Sequence, residues 1–272
     1  MIKVALTQQA KQAATSDYSD EWHTVLIKAH ASGLVDDPTF QQLAGKYAVE
    51  LIHSHDFITK VREALANGPA PEMGLDALAE FYLPTDVVEL RVIDPAGCGA
   101  VSYCGVIGDP VQRTKMVAFI RKYYGLRNIY IGINIRRADM ADTNLTASAG
   151  DVIARRAMVF DFDSKDAPVD DPTWSNALAD LVYEDLSNFV MDSGNGFHVW
   201  TKWDQWPGAC TPENLADSVP AAANMERVMR ADSMSDLPRI ARLPFTLNLP
   251  TATKRKRGAT IKMAVSVKGA KA

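Results

Sequence analysis

The chain has no uninterrupted apolar stretch near the ~18 residues that a membrane-spanning helix requires, and its opening residues, MIKVALTQQAKQ, lack the apolar core of a secretory signal. A cytoplasmic protein with no membrane partner is therefore expected. Cysteine is scarce. Cys98, Cys104 and Cys210 are an odd number with no CxxC pair, which excludes a disulfide framework and a zinc knuckle and leaves buried, idle thiols. No GxxxxGK[ST] occurs, so a P-loop NTPase is excluded. The segment around Gly194 and Gly196 lacks the third glycine of GxGxxG, because Val199 stands there and a strand rather than a helix follows. His198 has no histidine at i+2, and His53 and His55 fall in a helical pattern where i and i+2 do not share a face, so the pattern argues against a nicking enzyme built on a paired-histidine metal site. Acids are missing from residues 251–272, which hold Lys254, Arg255, Lys256, Arg257, Lys262, Lys268 and Lys271.

That last absence polarises a chain whose formal net charge is only -4. Seven of its 29 basic and none of its 33 acidic residues lie in the last 22 positions, so the remaining 250 carry a net charge of about -11. A basic end on an acidic body suits a polyanion, although a solvated tail has the same composition. With 47% hydrophobic and 23% charged residues, the 272-residue chain is otherwise an ordinary globular sequence with a sizeable core.

The first part reads as helical. Apolar residues recur at three and four residue intervals over 21–31 and 40–66, and Asn67-Gly68-Pro69 stops the run. From Tyr82 the texture changes to β-prone runs at 87–93, 128–135, 156–163, 187–191 and 197–203, interleaved with helical stretches at 111–124 and 174–186. A mixed α+β sheet domain behind a helical N-terminal region is expected.

Three segments carry potential chemistry. In the strand AMVFDFD, alternation puts Asp161 and Asp163 on one face with Phe160 and Phe162 on the other. Two carboxylates ~6 to 7 Å apart repel unless a cation lies between them, and hard divalent ions take such oxygens; a pair of solvated strand-end carboxylates has the same pattern. Next, SGNGFHVW is a glycine-rich hairpin turn whose outgoing strand puts His198, Trp200 and Lys202 on one face. Exposed backbone N–H groups followed at once by a histidine suit phosphate oxygens. Last, Asp232 is followed by RIARLPFTLN, which supplies Arg239 and Arg242, guanidinium groups suited to bidentate grasp of phosphate; in isolation the segment also describes a helix end with surface ion pairs.

Taken in order, these three segments resemble the archaeo-eukaryotic primase superfamily, in its primase-polymerase branch from phages, plasmids and other mobile elements. The acid-x-acid strand is Asp161-Phe-Asp163, the small-x-His hairpin is Gly196-Phe-His198, and the Asp leading into R-x-x-R-L-P-G-T-x-N is Asp232 with RIARLPFTLN. The likeness extends upstream through VELRVI and NIYIGINIRR and covers residues 82–258, leaving 1–81 as a helical region and 259–272 as a basic tail. It implies an RRM-like mixed sheet flanked by helices, and template-dependent joining of nucleotides as a DNA primase/polymerase in replication of a mobile element. Asp161, Asp163 and Asp232 would hold two Mg²⁺ or Mn²⁺ ions, and Ser193, Asn195, Gly196, His198, Arg239 and Arg242 would bind a nucleoside triphosphate. Single-stranded template and primer DNA would lie on Arg136, Arg137, Lys202, Trp203, Lys254, Arg255, Lys256 and Arg257, with a replicative helicase as a further candidate partner. Two alternatives stay open: a non-catalytic single-stranded-DNA or origin-binding module with a regulatory metal site, and a metal-dependent nuclease, which would leave His198, Arg239 and Arg242 without a task. One departure stands out. Phe245 occupies the position of the family's glycine, where any positive φ is expensive.

Overall fold

The computed structural model describes residues 70, 72–95, 99–163, 188–194, 196–205, 210–251, 253–254, 259 and 261–268. The helices expected over 21–31, 40–66 and 174–186 lie outside them, as do Cys98, Asn195, Arg255, Lys256, Arg257 and the side chain of Asp163. The described residues form the mixed α+β arrangement that the sequence leads one to expect, with antiparallel sheets and few helices.

The first sheet has six strands. β1 (Val87–Ile93) pairs on one edge with β2 (Ala100–Val106) and on the other with β3 (Asn128–Gly132) and β4 (Asn134–Arg136), which are two halves of one strand bent at Ile133. β5 (Val152–Arg155) pairs with β4, and β9 (Ile240–Arg242) with β3. Alternation in β1 sends Val88, Leu90 and Val92 into the main core, with Ile129, Ile131 and Ala241 from neighbouring strands. Each fully buried side chain of this kind contributes about 1.5–3 kcal/mol. The opposite face of β1 carries Glu89 and Arg91.

The second sheet runs in the order β12 (Val265–Lys268), β7 (Phe189–Asp192), β8 (Gly196–Lys202), β6 (Ala157–Asp163). On one face Val159, Met191 and Trp200 join the main core. Phe160, Phe162, Val190 and Val199 on the other face pack with Leu215 and Ala222 of a helix. A hairpin joins β7 and β8 as expected, and within it Gly194 has φ 94°, which glycine adopts without strain.

Three helices are described: α1 (Met73–Ala77), α2 (Pro110–Tyr123) and α3 (Leu215–Met229). Asp109 caps α2, accepting from the N–H groups of Val111 and Gln112 at 2.9 Å each, and Pro110 fills the first turn. α3 buries one stripe, Leu215, Ser218, Ala222 and Glu226, and ends where Arg230 turns left-handed with φ 56°. A short ribbon joins β10 (Leu247–Asn248) to β11 (Lys262–Met263).

Two expected boundaries move. Residues 262–268 are no free basic tail, since β11 pairs with β10 and β12 closes the second sheet against β7. Leu75, Leu78 and Phe81 sit in the main core, so the packed unit already includes the residues just before position 82. No helix among the described residues is long and apolar enough to cross a membrane.

Candidate active site

Strand register brings the predicted residues together. Along the second sheet Met191 lies opposite His198 and His198 opposite Asp161. On the free side of Asp161 the chain leaving α3 forms an isolated antiparallel bridge, Asp161 to Asp232, with Asp232 donating its backbone N–H to the Asp161 carbonyl at 2.7 Å. Residues directly opposite one another in an antiparallel pair share a face. His198, Asp161 and Asp232 therefore form one transverse row, and position 163 follows two residues along β6. The His198 imidazole Nε2 stands 3.5 Å from Asp161 Oδ1, and the Asp161 carboxylate is 22% exposed.

A second row crosses the first sheet. Arg91 is opposite Tyr130, and Tyr130 is opposite Arg242. His198 and Asp161 of the first row and Arg91, Tyr130 and Arg242 of the second line one cleft of about 640 Å³, together with Ser193, Arg239 and Lys254; Asp232 does not line it. The volume suits a ligand of nucleotide size. Among the described lining residues the acids are Asp161 and Asp236, the latter paired with Arg239, and the basic residues are Arg91, Arg239, Arg242 and Lys254.

Arg242 sets the character of the basic wall. It is buried, and its Nη1 donates to Asn128 Oδ1 (2.9 Å) and the Leu247 carbonyl (3.2 Å). Its Nη2 donates to Asn248 Oδ1 (3.0 Å) and the Tyr130 hydroxyl (3.2 Å), and the guanidinium carbon lies 5.0 Å from the Tyr130 ring centre. All four acceptors are neutral. A buried cation compensated only by dipoles keeps a strong affinity for an anion, and the fork of a guanidinium matches phosphate. Asn248 also donates to the Ser193 carbonyl at 2.8 Å, so the hairpin turn is fastened to the same arginine. A Cβ on Gly194 would stand only 3.3 Å from Asn248 Cβ and 3.0 Å from Lys262 Cβ, which keeps this turn tight against the ribbon.

The remaining candidates divide. Ser193 faces the cleft, but its hydroxyl donates to the Gly196 carbonyl (3.1 Å) and the Gly194 N–H is held by Asp192 Oδ1 (2.6 Å). Gly196 supplies backbone opposite Asp163 in the β6–β8 register. Arg239 is paired with Asp236, also at the cleft. Lys254 is exposed at the rim.

Four proposed nucleic-acid contacts do not join this site, and two of them are corrected. Arg136 and Glu89 are both 0% exposed and paired at 2.9 Å, with a further bond to the Asn134 carbonyl. Gly132 leaves the room for that guanidinium, since a Cβ there would sit 2.7 Å from its Nη2. A charge locked inside the sheet cannot touch DNA. Trp203 is buried beneath Arg155, whose guanidinium carbon lies 5.1 Å from the ring centre. Arg137 is exposed but neutralised by Asp139 (3.0 Å) and Asp151 (3.1 Å). Lys202 sits 3.5 Å from Glu80, four residues or about 13 Å along β8 from His198.

Sequence reading missed Arg91, Tyr130, Asp236 and Asn248 as cleft residues. A signal existed for the first two: each is a polar side chain on the non-core phase of a strand that otherwise alternates apolar residues into the core.

Hard divalent ions take carboxylate oxygens; Asp161 offers them at the cleft, and the bridge sets the Asp232 backbone beside it. Among the described residues no three His, Cys, Asp or Glu side chains gather closely enough to hold a metal; the third member of the proposed set is Asp163.

No protein-family model matches the sequence, and no curated protein matches it. Among solved structures, the fold is similar to the AEP domain of the cyanophage S-2L primase-polymerase, at TM-score 0.48 and 13% identity over 74% of this chain and 93% of that one. It is also similar to primase RepB′ (TM-score 0.46, 12% identity, 74% of this chain and 57% of that one). A third is the catalytic domain of primase RepB′ in complex with initiator DNA (TM-score 0.46, 13% identity, 75% and 87%). These likenesses concern backbone arrangement; the chemistry proposed below rests on the cleft.

Proposed function

We propose that the cleft is the active site of a template-dependent nucleotidyltransferase, a DNA primase/polymerase that joins nucleoside triphosphates on single-stranded DNA. The observation that carries this reading is one cleft lined on one side by Asp161 and His198, with the Asp232 backbone bridged to Asp161 behind them, and on the other by Arg242, a buried cation without a carboxylate partner among the described residues. A nuclease needs the first row only.

Nucleotide joining is an in-line displacement at phosphorus, so the protein's task is positioning and charge neutralisation. Asp161, Asp163 and Asp232 would hold Mg²⁺ or Mn²⁺, which when bound lowers the pKa of an attacking 3′-hydroxyl and neutralises phosphate charge. Arg242 and Arg239 draw the triphosphate against the basic wall. His198 stands beside Asp161, close enough to donate to a phosphate oxygen brought near that carboxylate. Lys254 extends the positive surface toward the rim, where nucleic-acid phosphates would meet it.

The test is incorporation of labelled nucleotides on single-stranded templates, with and without a primer, in Mg²⁺ or Mn²⁺. Synthesis by the wild type and none by D161A is the expected result. Tight, salt-sensitive DNA binding with no incorporation under any condition would replace this reading with that of a binding module.

A further inference from the structure

Asp232 is held in place from outside the cleft. Glu226 lies on the buried stripe of α3, is 4% exposed and does not line the cleft. It grips the chain on both sides of Asp232. Its backbone carbonyl accepts the Ala231 N–H at 3.0 Å, and its side-chain Oε1 accepts the Met234 N–H at 2.8 Å. Between these anchors the Asp232 N–H bonds to the Asp161 carbonyl. Downstream, Arg155 Nη2 donates to the Ser235 carbonyl at 2.6 Å and Asn134 to the Leu237 carbonyl at 2.8 Å, so the segment is fixed through its backbone.

Burying a carboxylate here is costly, and its partners are the Met234 N–H, the Ser235 side chain and the charges of Arg155 and Arg239. The three preceding positions of the stripe are Leu215, Ser218 and Ala222, and a leucine would fill the fourth without desolvating a charge. Desolvation holds the Glu226 carboxyl above the usual carboxylate range. What a leucine cannot supply is an acceptor for the Met234 N–H and the Ser235 side chain, both on the segment that carries Asp232. We propose that Glu226 is a positioning residue that fixes Asp232 in register beside Asp161, and so sets the metal affinity of the cleft without touching metal or nucleotide. The inference rests on the reading of Asp232 as a metal ligand.

The test compares the full chain with E226Q, E226D and E226A. Glutamine keeps an acceptor oxygen at the same reach; aspartate keeps the charge but withdraws it by one methylene; alanine removes both. Mn²⁺ titration without nucleotide and hydrogen exchange at the Asp232 amide are read side by side. Loss of a ligand-orienting contact costs about 10- to 100-fold in metal affinity, so E226D and E226A should weaken Mn²⁺ binding by that factor. They should also speed exchange at Asp232 at least about tenfold. E226Q should stay close to wild type in both. If E226A does not fold, E226D against E226Q decides. Wild-type affinity and wild-type protection in E226D overturn the proposal, and so does an E226Q as impaired as E226D. A wild-type protein that binds no Mn²⁺ removes the metal reading instead, and the exchange rates then decide the positioning role alone.

Discussion

Asp232 lies directly opposite Asp161 across an isolated antiparallel bridge, so two carboxylates leave neighbouring backbones on one face of the sheet. Like charges so placed are destabilising by roughly 0.2–1 kcal/mol unless a cation occupies the space. Function and stability then pull in opposite directions at this site. In metal-free buffer D161N should be more stable than wild type by about 0.5 kcal/mol in urea denaturation. Nucleotide incorporation should fall about 10³-fold or more. Mn²⁺ should raise the melting temperature of wild type and not of D161N, because only a state that binds the ion is stabilised by it. A variant that is less stable than wild type without metal would show that the contact of Asp161 with His198 outweighs any repulsion from Asp232.

The two arginines of RIARLPFTLN differ in burial, and their variants should differ accordingly. Arg239 is partly exposed and paired with Asp236. R239A should raise the KM for nucleotide and leave stability within about 0.5 kcal/mol of wild type. Arg242 satisfies four buried or half-buried acceptors that a lysine's single ammonium cannot cover together. R242K should cost about 1–3 kcal/mol of stability as well as raising KM, since buried acceptors are left without a donor. KM and urea midpoints measured on the same two preparations check both statements.

Much of the acidic wall was legible because local rules write it. Alternation in AMVFDFD and the glycine turn of SGNGFH each act within a few residues, and β6 and the β7–β8 hairpin formed where those signals stood. The basic wall was legible in composition but not in form. β9 is only three residues, Ile-Ala-Arg, and becomes a strand because β3 offers it an edge. α3 carries Pro220 in its interior and has no side-chain cap bond, so neither a start signal nor an unbroken periodic run marks it. Arg136 shows the deeper limit. In NIYIGINIRR it reads as one of two adjacent surface cations, and only the tertiary meeting with Glu89, 47 residues earlier, puts it inside.

That buried pair has its own signature. Removing Arg136 leaves the fully buried Glu89 to Arg91 and Ser102, so R136A should destabilise by about 3 kcal/mol, the low end for breaking a buried ion pair. Replacing both ends with apolar residues, as in E89L/R136M, should recover a large part of the loss, although Arg91 and Ser102 also bond to Glu89. The salt dependence of single-stranded-DNA binding should be the same in the double variant as in wild type, because a phosphate contact cannot be lost where none was possible. A shallower salt slope would put Arg136 back among the DNA contacts.

Glu226 also predicts a pH dependence. Burial raises its folded-state pKa above the unfolded value, so the folded protein holds this proton more tightly than the unfolded chain does. The stability it contributes is fully present below the unfolded carboxylate value of about 4.3 and is lost as pH rises through the higher folded value. E226Q, which cannot ionise, should remove that decline and leave a flatter stability curve over the same window. Urea midpoints at half-unit pH intervals measure the difference, and parallel curves for the two proteins would reject the assignment.

Phe245 adopts φ 59°, in the left-handed region that glycine enters without strain. The turn is fixed on both sides. The Phe245 N–H donates to the Ala264 carbonyl at 2.8 Å, and the Thr246 hydroxyl donates to the Leu243 carbonyl at 2.6 Å. A side chain bearing a Cβ costs roughly 1–2 kcal/mol in this conformation, whereas glycine adopts it freely and loses more chain entropy on folding. Comparing F245A with F245G removes the aromatic contacts from both and isolates the backbone. At an ordinary helix or strand position alanine would be the more stable of the two by roughly 0.5–1 kcal/mol. Here the order should invert, with F245G ahead by about 1 kcal/mol in urea denaturation. Because Thr246 leads directly into Leu247 and Asn248, whose oxygens hold Arg242, the same inversion should reach the nucleotide KM, with F245G nearer wild type than F245A.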